Sequence, residues 1–522
     1  MLLERSEGRR PGRWWLLLLL ALFPPAAAGA TGGAFTATEQ WVATQVKAGR
    51  AADLQRFPPT ARVLGAQFVA TLLAQPLASP DAQRRGVEIK GAVVRDTLDL
   101  DTAELRYDVQ FVNCRFEREV KLSNAVFHRG LSFEGSHLHS ANFENLKVGG
   151  ALFLKGTQFH GAVNLIYANL GGSLEAENAR FHSARDEASF VGLKVARQAT
   201  FHQAQFDGPV NFRRATFAGN FDLGQARFRH AEDLSSGGGP RTPNVDCKGI
   251  MVGGDLFIDQ AVFAGAADFR YAEVSGNLEA VKTKMLGDAA RHEVSFRGIK
   301  ARAVFLEQAT LRGPVDLREA NVQSLYLGQI TWPRRRGAVR MAGTTYQYLS
   351  GGTGSDALAH LLRLANHAAY SADVYANLEQ FFLRQGRADW ATEVFVAQKR
   401  RERAEFLRGP AWVWSALLDL LVRHGRSPGR ALLWSLVFVL AGAIVFRDAA
   451  RMVAVESETP PTSYSGFWFS LDHFIPFVTL EATRAWMPQS HRRWAWLYLR
   501  LHVLAGWILM PIGLLALSGN LK

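Results

Sequence analysis

Two short polar segments of this 522-residue chain hold the side chains best suited to chemistry. One carries His182, Arg185, Asp186 and Glu187; the other carries Asp288, Arg291, His292 and Glu293. Imidazole, guanidinium and carboxylate groups gathered in loops suit a ledge for a glycan, a lipid headgroup or a protein, and the plainer reading is solvated corner loops. Cleavage of a polysaccharide would need paired carboxylates at a fixed separation on one face. The outward positions mix Arg, Glu, Asn and Gln without such a cluster. Further along, Asp472 and His473 interrupt the apolar stretch 464–480, and Arg500 and His502 interrupt a second one. Neighbouring residues of a helix point in different directions, so Asp472 and His473 make a poor acid–base pair. No Gly-x-Ser-x-Gly elbow, metal-spaced His/Cys set or dinucleotide fingerprint in a strand–helix–strand context is present. The sequence therefore calls for no cofactor and reads as a non-enzyme.

The elements that must position the two loops are set by an apolar rhythm. Between residues 87 and 181, large apolar side chains recur at steps alternating between five and six: Ile89, Val94, Leu100, Leu105, Phe111, Phe116, Leu122, Phe127 and onward to Phe181. Two residues before many of them stands a small or aliphatic partner, such as Val109, Ala125, Val163, Ala168 or Ala179. Each pair is a two-residue step, hence a short strand with one face buried. A chain that turns a corner after every such step and always buries the same side is a coil around its own interior, a solenoid. The pattern also duplicates at longer range. Residues 149–176 and 253–280 share 13 of 28 residues, GGALFLKGTQF returning as GGDLFIDQAVF. Polar inserts at 182–194, 229–251 and 286–300 fall at equivalent places in the repeat, so successive ones are expected about 10 Å apart, two coils of roughly 4.8 Å each. Solenoids bind or scaffold more often than they catalyse.

The pairs Ala204/Phe206, Val210/Phe212, Ala215/Phe217 and Ala226/Phe228 resemble those of pentapeptide-repeat proteins. That resemblance, over about residues 86–349, implies a right-handed, roughly square β-helix with the small and the large apolar residue both inward. The alternation of five and six departs from the family's strict five. The whole layout is similar to bacterial membrane-associated pentapeptide-repeat proteins, in which a repeat domain precedes a helical hairpin and two membrane spans. This implies an architecture and no reaction.

Outside the repeats the chain divides readily. Residues 1–30 read as a signal peptide, with Arg5, Arg9, Arg10 and Arg13, the apolar run Trp14–Phe23 and the small residues Ala26–Ala28; an uncleaved anchor is the alternative. Residues 31–85 form an N-terminal helical cap, with helical spacing over 34–49 and 61–75, covering strand edges that would otherwise be open. Residues 350–425 read as a linker with one tetratricopeptide-like hairpin, in which Glu379 replaces the preferred glycine. They include the run Lys399–Arg403, expected on a solvated helix face, and an interfacial helix at 411–422. Residues 426–522 read as a membrane domain with spans at 431–446 and 494–517 around the interfacial segment 464–480, whose polar pair is expected to face water. Only Cys114 and Cys247 are present, and Cys114 takes a small inward position, so no disulfide is required.

Charge sharpens the assignment of partners. The net charge of +13 divides into +2 for residues 1–30 (4 − 2), +4 for 31–379 (39 − 35) and +7 for 380–522 (17 − 10). A basic excess beside apolar segments favours membrane lipids over nucleic acid. Five arginines in the 447–493 loop against four cations on the other side place that loop in the cytoplasm and the solenoid outside. The expected protein is thus mainly β, a scaffold or binding protein of a bacterial inner membrane whose exported repeat domain meets a protein or an envelope polymer. A transport or channel accessory built on the spans and a polysaccharide-acting enzyme are the alternatives.

Overall fold

A computed structural model describes residues 35–77, 80–229, 244–287, 292–351, 356–454, 463–477 and 486–517. The signal-peptide assignment, Asp288 and Arg291, and most of the 229–251 insert fall outside these residues.

Each single step of five or six residues produces one side of a square. Every coil contributes four short strands, and every strand pairs in parallel with its equivalents one coil before and one coil after. The first face is the ladder Val109, Leu131, Leu152, Leu174, Ala199, Phe221, Leu256, Leu278. The second face includes Phe116, Leu138, Phe159, Phe181, Phe206, Phe228, Phe263, Met285. The third face includes Val120, Ala141, Val163, Ala188, Val210, Val245, Ala267, Val294. The fourth includes Phe127, Val148, Leu170, Val195, Phe217, Val252, Val274. The small partners Ala125, Ala168 and Ala179 are fully buried beside them. Five consecutive rungs of the second face form a column of rings: Phe159, Phe181, Phe206, Phe228 and Phe263 stack at centroid spacings of 5.0, 4.5, 5.1 and 4.8 Å. The spacing is that of neighbouring strands, so the backbone ladder itself dictates face-to-face stacking. Where the small partner is polar it reaches a carbonyl: Thr157 and Ser136 donate to Phe133 and Phe111 at 2.8 Å, and the Cys114 thiol to Ile89 at 3.4 Å.

The winding begins earlier than residue 86. Ala52–Asp53 already pairs with Ile89–Lys90, and Val63–Leu64 with Val93–Val94. The rhythm was hidden there because helices precede and interrupt this first turn. These are α1 (Ala37–Lys47), α2 (Ala66–Ala74) and, ahead of the next coil, α3 (Pro80–Arg85). Thr36 and Glu39 close a capping box on α1, and Glu39 also accepts from Gly65 N–H at 2.9 Å, tying the cap to the turn. The far end is covered by α4 (Ala357–His367), α5 (Ala372–Arg384) and α6 (Ala388–Glu405), with Asn377 donating to the Thr344 carbonyl at 3.0 Å.

The basic run in α6 does not form a solvated face. Arg401 is 6% exposed. It donates to the carbonyls of Ala365 (2.6 Å) and Ala368 (2.7 Å), the last turn of α4, and to Glu405 at 2.9 Å. Arg400 and Arg403 both pair with Asp419 of α7 (Gly409–Val422). Glu379, the residue out of place for a tetratricopeptide hairpin, pairs with Arg426.

Beyond α7 come α8 (Pro428–Val445), α9 (Gly466–Phe474) and α10 (Arg493–Leu517), with Met452–Ala454 and Trp486–Pro488 paired antiparallel. Among the described residues no helix is long and apolar enough to cross a membrane, which corrects the spans assigned at 431–446 and 494–517. The 18 residues of α8 amount to about 27 Å against about 30 Å of hydrocarbon, and its first turn holds Arg430. The longer α10 carries Arg500, His502 and Pro511 internally. The described part of the 464–480 segment, to residue 477, is likewise not laid flat with its polar pair in water. Its helix α9 is wedged between α8 and α10, and Asp472 is 5% exposed. Glycine permits this approach: a Cβ at Gly506 would overlap the Phe474 carbonyl.

Candidate functional site

The inserts share one corner, between the second and third faces. The loop at 182–187 joins Phe181 to Ala188, and the loop at 286–293 joins Met285 to Val294. Uninterrupted coils lie between them, at Asp207–Pro209 and Ala264–Ala266. Glycine recurs in those short corners because the insert folds over them. A Cβ at Gly208 would run into the Ser183 carbonyl, and one at Gly313 into that of His292.

The ledge nevertheless does not form one site. The first and third inserts are four coils apart, roughly 19 Å at the strand spacing. Each makes its own local contacts. The Ser183 hydroxyl donates to Asp186 at 2.9 Å and accepts the Asp186 N–H at 3.0 Å, closing a tight turn that leaves Arg185 and Glu187 exposed. His182 turns away from them. Its ring stacks on His160 at 5.3 Å, His160 stacks on His137 at 5.8 Å, and His182 Nδ1 lies 3.4 Å from Asp207. Glu293 is held by Arg340, two coils further on, at 2.5 Å. His292 lies over the Gly287 and Gly313 corners.

The histidine ladder was missed in the sequence because its members sit 22–23 residues apart. A hollow of about 580 Å³ beside it is lined by Arg115, Glu117, His137, His139 and His160. Partial burial, reinforced by the charges of Arg115 and His182, holds the His137 and His160 imidazoles below their ordinary range, so they favour the neutral form. Among the described residues no group of three or more His, Cys, Asp or Glu side chains is placed to hold a metal ion.

On the third face several polar residues pair with one another. Asp246, Asp268 and Asp316 are almost wholly buried and pair with Arg213, Arg270 and Arg318. The Asp268 and Asp316 carboxylates also accept the N–H of the residue two further on, at 2.9 and 3.0 Å. On the first face, burial and the neighbouring carboxylates raise the acids of Asp259 and Glu279 above their usual range. Asp259 accepts Val281 N–H at 2.8 Å and Glu279 accepts from Asn277 at 3.2 Å, so both have structural work.

In the C-terminal bundle the polar residues separate. His502 is buried, its Nε2 donating to the Ser470 carbonyl at 2.9 Å, whereas Arg500 is exposed on another side of α10. His473 Nδ1 lies 2.9 Å from the Phe469 carbonyl. What the bundle exposes is apolar: Leu433 (61%), Ile444 (67%), Leu497 (61%) and Trp414 (55%), with neighbours of the same kind along α7, α8 and α10.

Comparison with known proteins agrees with the winding. The family model for pentapeptide repeats (9 copies) matches residues 100–146, the coils from Leu100 to Leu146. No curated protein and no solved structure matches the chain. The protein carries pentapeptide repeats wound into a parallel β-solenoid, capped by helices and followed by a helical bundle.

Proposed function

We propose that the protein is a membrane-associated scaffold of a bacterial cell envelope, in which α7, α8 and α10 seat in a lipid surface and hold the solenoid against it as a rigid binding platform. The observation that carries this reading is the apolar exterior of those helices. Trp412, Leu420, Leu436, Leu440, Leu504 and Trp507 are each about half exposed, next to the residues named above. Soluble monomers rarely leave a contiguous apolar patch of more than a few hundred Å² in water. The +7 excess of residues 380–522 supports anionic lipid as the partner surface. Export is supported by the basic, apolar and small-residue order of residues 1–30. The scaffold role is supported by a closed interior, since the core is packed with side chains and ligands reach only the lateral faces.

Flotation of the full-length protein with vesicles tests this. The protein should rise with vesicles of phosphatidylethanolamine and phosphatidylglycerol, and less with phosphatidylcholine alone. Leu436→Glu with Leu440→Glu should cut flotation while the β signal in circular dichroism stays. A wild-type chain that remains monodisperse without detergent and stays in the dense fraction overturns the proposal.

A further inference from the structure

The solenoid's faces differ in charge, and one groove has no acid in its lining, although Glu177, Asp259 and Glu307 stand one residue before its corner row. At the outward strand position of the second face stand Arg115, His137, Gln158, Arg180, Gln205, Arg227, Val262, Lys284 and Thr310 in successive coils. No carboxylate occurs among them. At the corner joining the first face to the second, successive coils place Asn178, Gln203, Gln225, Gln260, Lys282 and Gln308. The two rows enclose a groove of about 680 Å³, again with no acid in its lining. It lies at the opposite edge of the second face from the inserts, which leave it uncovered.

The lining has three further properties. Arg227, Lys282 and Lys284 are exposed and have no ion-pair partner among the described residues, as is also true of Lys147, Lys155 and Lys194 elsewhere on the solenoid. The amides are mostly unspent. Gln203 donates to Gln225 at 2.9 Å, and Gln260 and Gln308 make no side-chain hydrogen bond among the described residues. Finally, the corner requires a left-handed backbone, with φ between 56° and 59° at all six of these residues. Gly and Asn adopt that conformation most readily, and this corner uses Gly135 and Gly156 in earlier coils. From coil 203 onward Gln and Lys replace them, as Tyr167, Arg214, Tyr271 and Glu319 do at the corner between the third and fourth faces.

We propose that this groove binds an extended acidic polysaccharide, a strand of uronate type, along the solenoid axis. The inference rests on reading the solenoid as a binding platform and names its ligand class. Amide rungs about 4.8 Å apart can bond hydroxyls and carboxylates of successive sugars in parallel, and the three cations meet the negative charge. A single-stranded nucleic acid is the less suitable polyanion, because the lining offers no aromatic ring for base stacking.

The test uses the full-length protein in detergent micelles and fluorescently labelled oligogalacturonate, with neutral malto-oligosaccharide and an oligothymidylate of matched length as comparators. Oligogalacturonate should bind, the neutral oligomer should bind at least about tenfold more weakly, and salt should weaken the former. Lys282→Glu with Lys284→Glu should lower affinity about tenfold or more, and Gln225→Ala with Gln260→Ala by a smaller factor. Lys194→Glu on the fourth face should leave affinity unchanged. Retained circular dichroism shows that the variants keep the fold. Absence of oligogalacturonate binding, equal affinity in the Lys282/Lys284 variant, or preference for oligothymidylate overturns the inference. Flotation retained in those cases leaves the membrane reading standing; flotation lost with glycan binding intact has the reverse meaning.

Discussion

Arg401 offers a direct test of how the helical module is joined to the solenoid's end. Its side chain is buried and satisfies two carbonyls, Ala365 and Ala368, that the end of α4 leaves without helical partners. It also pairs with Glu405 and donates to Tyr375 Oη at 3.2 Å. Arg401→Met keeps the stem and removes every one of these bonds. Each charge-assisted hydrogen bond contributes roughly 1.5–3 kcal/mol, not additively, and removing one partner of a buried charged set costs about 3–5 kcal/mol. Its neighbour Arg400 is half-exposed and pairs with Asp419 alone, so Arg400→Met should cost under about 1 kcal/mol. Hydrogen exchange of peptides from α4 and α6 reads local opening directly. The Arg401→Met variant should exchange there faster by about two to three orders of magnitude, since about 1.4 kcal/mol is tenfold, and the Arg400→Met variant by less than about fivefold. If both variants exchange alike, or if Arg401→Lys restores full protection, the bidentate capping role is wrong.

Two further outcomes follow from the solenoid. Phe206→Ala, in the middle of the ring column, should destabilise by about 3–5 kcal/mol and Phe206→Leu by less than about 1.5 kcal/mol; exchange should rise in the coils around residues 181–228 and not around Val315, because each coil contacts only its neighbours. For the histidine ladder the folded state favours neutral His137 and His160, so their contribution is present above the unfolded value of about 6.5 and is lost as pH falls below it. Melting at pH 7.5 and pH 5 should show a smaller acid-induced loss in the His137→Gln/His160→Gln variant than in the wild type.

The winding was legible because its cause is local. An inward pair such as Ala204/Phe206 declares a strand by itself, and repetition declares the coil. The shared insert corner was legible for the same reason. What could not be read is set by the coil length of about 22 residues, which brings together side chains with no local signature. His137, His160 and His182 stack at that interval, as do the amides of Gln203 and Gln225. The buried pairs Asp268/Arg270 and Asp316/Arg318 do leave a signal, an acid two residues before an arginine, but at an outward position that pattern equally fits a solvated pair. The run Lys399–Arg403 misled in the same way, since the partners of Arg401 lie 33–36 residues away. Hydropathy marked the C-terminal apolar helices but could not show that α9 packs between them, which depends on glycine at 442 and 506.

Both ends of the solenoid are covered, which decides where a partner can bind. Parallel strands at an open end would template further pairing, yet α1 and α2 close one end and α4 to α6 the other. With the interior filled by rings, no ligand can enter or extend the tube, and recognition is confined to the sides. Of the sides, the third carries Asp–Arg pairs that satisfy one another. The second is bounded by the loop corner on one edge and by the acid-free groove on the other. Inserted loops can lengthen at the first of these corners without disturbing the core, because the coils between them carry the strand pairing. The amide corner cannot vary so freely, since each of its residues holds a left-handed φ. A polymer lying along that edge would therefore meet a fixed ruler of rungs, while contacts to protein partners would fall to the loops. Grafting a longer loop at 183–187 should leave oligogalacturonate affinity as it was; a loss would mean that the two edges act as one surface.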